Sequence, residues 1–248
     1  MGVLTVVLGV LLVAVPAAPA QTPTSTPEDQ ILRAFGADSG DKFGESVSID
    51  GDRAIMGAPR EDGSTGDPND DRGAAYVFER DASGNWEEVQ VLHASNAGSG
   101  DRFGVSVSID GDRAIVGASL EDGSTGDSND NRGAAYVFER DASGTWNQTK
   151  ILRASNAGSR DHFGVSVSID GDQAIVGARY EDASTGDSND NRGAAYVFER
   201  TSSGWPTTET ALLRASNADS GDRFGWSVSI STDRAMVRSE ERGGGKEG

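Results

Sequence analysis

Phe103 to Ala118 reads FGVSVSIDGDRAIVGA, and the chain writes it again at Phe163 to Ala178 and, slightly altered, at Phe43 to Ala58. These copies are 60 residues apart, and a fourth opening, FGWSVSISTDRAMV, starts at Phe224 and loses its pattern after Val237. Fixed self-similarity at such a period is the mark of a repeat architecture. Within one copy Val105, Val107 and Ile109 alternate with Gly104, Ser106 and Ser108, which predicts a strand. Asp110-Gly111 tolerates positive φ, so a tight hairpin should lead into a second strand, Arg113 to Ala118. A polar loop, Leu120 to Arg132, precedes a third strand, Gly133 to Arg140 (GAAYVFER), which recurs unchanged at Gly73 to Arg80 and Gly193 to Arg200. Asp141-Ala142-Ser143-Gly144 then turns the chain into a fourth strand, Trp146 to Ala154.

Four successive antiparallel strands per repeat predict an all-β, propeller-like array of four-stranded blades. Three are complete (about 43–94, 103–154 and 163–215) and a partial fourth covers 224–237. Residue bulk supports blades over a flat sheet. It rises from Gly, Ser and Val in the first strand to Tyr, Phe and Trp in the third and fourth, as a wedge converging on its first strands requires. Tyr136, Phe138 and Trp146 are therefore expected in an inter-blade core rather than against a ligand.

The Phe-Gly pairs at 43, 103, 163 and 224, with Gly57-Ala58-Pro59, Gly117-Ala118-Ser119 and Gly177-Ala178-Arg179 downstream, resemble FG-GAP repeats. Such repeats are the blades of the integrin alpha-chain propeller and of many microbial surface proteins. The resemblance implies a seven-bladed propeller in an extracellular, adhesive or ligand-binding setting, and no catalyst. The chain departs from it in number, with three complete blades, an orphan fourth-strand sequence at Ile31 to Ala34, and two strands after Phe224.

Ahead of the repeats, the apolar run Val3 to Val15 and the small-residue pattern Ala18-Pro19-Ala20 read as a signal peptide over residues 1–20, although no Lys or Arg precedes the run. The run is shorter than the roughly 20 residues a spanning helix needs. After cleavage no membrane insertion is expected, and the location is secreted or at the cell surface. Residues 21–30 form a Pro/Thr-rich linker and 238–248 a tail without strand period. There are no cysteines, which removes disulfides, thiol nucleophiles and a lipoprotein anchor. The net charge of −18 repels nucleic acid and anionic lipid. A surface with 26 Asp and 14 Glu against 3 Lys resembles that of proteins from salt-loving organisms.

Calcium in integrin-like blades occupies the turn between the first two strands. Here that turn holds only Asp50-Gly51-Asp52, Asp110-Gly111-Asp112 or Asp170-Gly171-Asp172, too few oxygens for an ion that prefers six to eight. The loop between the second and third strands is the better candidate for a hard cation such as calcium. It carries Asp67, Asn69 and Asp71, then Asp127, Asn129 and Asn131, then Asp187, Asn189 and Asn191, at alternate positions, with Glu121 and Asp122 upstream in the second copy. A solvated loop of Asx-turns would favour the same residues. His93 and His162 stand where other copies have Arg or Lys, and no nucleophile, base and orienter assemble around them. Asn147-Gln148-Thr149 is a lone glycosylation sequon.

The expected function is an exported, non-catalytic surface or matrix module that binds a protein or glycan ligand and self-associates through open blade ends. The rival readings are an accessory domain of a secreted hydrolase and a truncated gene product without independent function.

Overall fold

A computed structural model describes residues 30–62, 70–123, 130–182 and 190–240. The chain divides into two units, Met1–Ile31 and Leu32–Gly248, and all the blades belong to the second. The first blade is β1 (Ser46–Asp50), β2 (Arg53–Ala58), β3 (Ala74–Arg80) and β4 (Trp86–Leu92); the second is β5 (Phe103–Asp110), β6 (Arg113–Ala118), β7 (Ala134–Arg140) and β8 (Trp146–Leu152). In the third, β9 (Phe163–Asp170), β10 (Gln173–Ala178), β11 (Ala194–Glu199) and β12 (Ala211–Leu213) follow, and β13 (Ser227–Ser231) with β14 (Arg234–Arg238) makes the partial fourth. In every sheet, neighbours in sequence are neighbours in space and antiparallel, so each blade is a meander.

Two sequence expectations are shifted. The fourth strands of the first two blades stop at Leu92 and Leu152, and that of the third shrinks to three residues. There a tight Thr201–Gly204 bridge and Pro206, which has no N–H to give a ladder, replace the strand opening. Trp205 still reaches the core that Trp146 reaches one blade earlier. The orphan sequence before Phe43 is not a strand; Leu32 and Ala34 lie irregularly against the first blade's Tyr76 and Phe78 cluster.

First strands stack on first strands, β1 on β5, β5 on β9 and β9 on β13, which puts the small residues at the converging edge. Each inter-blade core joins one face of a blade to the opposite face of the next. Ile55, Val77 and Leu92 of the first meet Val107, Val116, Tyr136 and Phe138 of the second, and the set repeats one blade on. The aromatics belong to this core. Phe103 sits edge-on to Tyr136 (centroids 5.3 Å) and Phe138 (6.0 Å), as Phe163 does to Tyr196 and Phe198.

Glycine sets the spacing. A Cβ on Gly117 would lie 2.0 Å from the carbonyl oxygen of Gly164 in the next blade, and one on Gly57 would lie 1.9 Å from that of Gly104. Gly104 itself holds φ at +93° in the bulge that opens β5. The same carbonyls accept a hydrogen bond from the preceding blade, Ser46 Oγ to Gly104 O at 2.8 Å and Ser106 Oγ to Gly164 O at 2.8 Å.

The array is open. Val107 and Ile109 are 8% and 5% exposed against the first blade, whereas their counterparts Val47 and Ile49 are 63% and 66% exposed. At the other end Met236, the counterpart of the fully buried Ile55 and Ile115, is 76% exposed.

Substituting Gly117 by Ala should cost about 1–3 kcal/mol or more, because the added methyl has only main chain to displace. Urea unfolding of the variant measures this, and an unchanged midpoint would mean that the blades do not approach so closely.

Candidate functional site

The loop between the second and third strands of each blade is where the sequence concentrates oxygen ligands. Of the nine candidate metal ligands, Asp67, Asn69, Asp127, Asn129, Asp187 and Asn189 lie outside the described residues. Asp71, Asn131 and Asn191 are described, and all three adopt left-handed backbone, φ 45°, 46° and 48°, which Asp and Asn tolerate better than most residues. Their carbonyls reach the following blade. Asp71 O accepts from Arg102 N at 3.1 Å, Asn131 O from His162 N at 3.3 Å, and Asn191 O from Arg223 N at 3.1 Å.

The residues on either side make a clamp that the sequence reading missed. Asp130 holds Arg132 Nε at 2.5 Å, and the same guanidinium donates through Nη1 to Ala157 O at 2.8 Å, in the loop leading to the third blade. Asp70 with Arg72 and Asp190 with Arg192 repeat it on Ala97 and Ala218. The signal was an Asp-x-Arg step in every copy, two residues before the third strand.

Upstream, Glu121 and Glu181 are 2% and 1% exposed. Glu121 accepts from Arg153 Nη2 at 2.5 Å, Asn96 Nδ2 at 2.9 Å and Gly123 N at 2.9 Å, while Asn96 Oδ1 accepts from the Tyr136 hydroxyl at 3.0 Å. Arg214, Asn156 and Tyr196 repeat the arrangement around Glu181. A buried carboxylate paired with Arg and fully hydrogen-bonded serves the fold. Asp122 accepts from Asn131 N at 3.0 Å. Among the described residues no three acids or histidines are grouped to hold a metal ion, so any cation cage would need the six positions outside them.

The Asp-Gly-Asp turns also spend their carboxylates on protein. Asp50 accepts from Gly111 N at 2.8 Å and Asp110 from Gly171 N at 2.7 Å, each across a blade interface. Asp112 and Asp172 meet Arg53 and Arg113 of the preceding blade, both at 3.2 Å. These described oxygens do not fit the family's calcium turn.

Burial pushes the carboxyls of Asp101 and Asp161 up to about 6, with Glu121 and Asp122, or Glu181 and Asp182, adding to the rise. Each still accepts a 2.7 Å bond, from Gly98 N or Gly158 N. His162 moves the other way. Burial first, then Arg179, Arg102 and Arg160, holds its imidazole down to about 4.

A family model for the FG-GAP repeat matches residues 27–78, 86–138, 146–198 and 207–245. No curated protein matches the chain. Among solved structures, a Lactobacillus plantarum protein is 12% identical over 73% of this chain and 43% of its own, with a TM-score of 0.44. A periplasmic gluconolactonase from Pseudomonas aeruginosa is 15% identical over 79% of this chain and 50% of its own, with a TM-score of 0.48. The computationally designed Ika4 protein is 10% identical over 85% of this chain and 96% of its own, with a TM-score of 0.44. The chain thus spans about half or less of the two natural proteins.

The raised carboxyls make stability depend on pH with a definite sign. The unfolded Asp161 titrates near 3.8 and the folded one near about 6. Its contribution is complete below about pH 4 and is lost as the pH rises through about 6. Asp161→Asn keeps an acceptor for Gly158 without the buried charge, so it should flatten the fall in melting temperature between pH 4 and 7. An unaltered slope would show that this carboxyl ionises freely.

Proposed function

We propose that this chain, which belongs to the FG-GAP repeat family, is an exported, non-catalytic adhesion module that works through the open face of its first blade. Support for export is the apolar run Val3 to Val15 with its Ala18-Pro19-Ala20 pattern, in residues outside those described. The observation that carries the binding role is the exposure of Val47 and Ile49, whose counterparts in the next two blades are all but buried. That face is apolar at the positions that the following blades bury against a neighbour.

The occupant is a second copy of the chain, joined first blade to first blade. Head-to-tail stacking is opposed by the fourth blade. Its Arg238 pairs with Ser227 as Gly57 pairs with Ser46, so a side chain stands where the next blade's carbonyl would come. Joining like faces gives an isologous, closed dimer rather than a fibre. Burying each Val or Ile fully contributes about 1.5–3 kcal/mol, against the cost of association.

Light scattering should show a concentration-dependent dimer that Ile49→Asp reduces to monomer. A monomer at all concentrations, or a ladder of higher oligomers, would overturn the proposal.

Calcium enters this reading at the loops containing Asp67, Asp127 and Asp187. Calcium should raise the melting temperature more than sodium does at matched ionic strength, by the mass-action amount for native-state binding. Equal effects would reduce the loops to charge screening.

A further inference from the structure

The residue before each Phe-Gly pair is Lys42, Arg102, His162 or Arg223, and each holds positive φ, 58°, 57°, 56° and 55°. That backbone is uncommon for such side chains, and three of the four line one cavity. The cavity, about 220 Å³, spans the first three blades and collects Lys42, Arg60, Arg102, His162 and Arg179 around an aliphatic wall that includes Val105 and Val165. Its single acid, Glu45, is paired with Lys42 at 3.0 Å. On a chain of net charge −18, such a surplus of cations in one hollow runs against the whole surface.

The donors in it are unspent. Arg102 Nε, Arg179 Nε and His162 Nδ1 are buried and have no hydrogen-bond partner among the described residues. The nearest carboxylate to Arg102 Nε is that of Asp71, at the 4.0 Å limit of an ion pair. Arg179 is held in place all the same, its guanidinium stacked at 4.7 Å on Tyr180 and 4.6 Å on Trp226. Among the described residues, Arg60 and Arg179 form no ion pair. Cations gathered without counter-ions are costly, and an oxyanion in the cavity supplies the missing charge.

We propose that this cavity is an oxyanion-binding site that takes a sulfate or carboxylate group, whether free or carried on a saccharide. Arg60, Arg102 and Arg179 grip the oxygens, and His162 lies in the lining beside them. A compact anionic group suits it better than a long polyanion, because the favourable field is local and the rest of the surface repels.

The test is calorimetry on the full chain with sodium sulfate, a sulfated disaccharide and its unsulfated parent, alongside NMR of the ring resonances of His162. Both sulfated probes should bind and move the His162 signals while His93 stays still, and the parent sugar should do neither. Tighter binding of the disaccharide assigns the saccharide, and equal binding assigns a free oxyanion. Arg60→Gln and Arg179→Gln should each weaken binding by about tenfold, the value of a lost charged hydrogen bond, with Arg60→Lys recovering most of it. Absence of any His162 shift with either sulfated probe, or undiminished affinity in both Gln variants, would overturn the proposal.

Discussion

Everything in this array depends on two backbones meeting where no side chain fits. Gly117 of one blade lies against Gly164 of the next, and Ser106 locks the joint by donating to the same Gly164 carbonyl. Only at that distance are Ile115 and Val137 covered by Val167 and Ile169. The serine alternation, the two glycines and the phenylalanine are one device. Main-chain contact sets the pitch of the blades and apolar packing exploits it.

The polar residues extend the joint outward. Near the axis, Ile109 N donates to Ser48 Oγ, then Asp50 takes Gly111 N, then Arg53 reaches Gly111 O and Asp112. Further out Arg140 bridges to Glu79, and Trp146 and Gln90 exchange two hydrogen bonds. Much of the acidity that dominates the composition is therefore committed between blades.

Strands with an unbroken apolar pattern were legible in the sequence: β5, β6, β9 and β10 have the bounds read from the repeated stretch that begins at Phe103 and Phe163. What depends on neighbours was not. β1 begins at Ser46 although β5 begins at Phe103, because the Phe103–Ala118 pair beyond the bulge has no equivalent at Phe43. The loop carboxylates read as ligands by spacing alone, but spacing does not reveal that Asp130 faces Arg132 or that Glu121 faces Arg153, 32 residues away. The cavity was hidden for the same reason, since Arg60, Arg102 and Arg179 come from three blades. Its one sequence trace was His162, standing where other copies carry Arg or Lys.

The fourth copy keeps first- and second-strand contacts with which a blade packs on the one before: Phe224 bridges Gly193, Gly225 O accepts from Ser166, and Ile230 is buried with Ile175 and Ala195. It has lost those with which a blade receives the one after. Ser231 replaces the Asp that would hold the next turn, and Arg238 replaces the glycine that would admit the next carbonyl. Thr232 keeps the glycine's positive φ, 52°, at a steric cost a β-branched residue bears, because its N–H still reaches Asp170. The two ends of the array are thus unlike in kind. The first blade exposes Val47 and Ile49 where its counterparts meet a preceding blade, and the fourth is a blade fitted to its predecessor and unfitted to a successor.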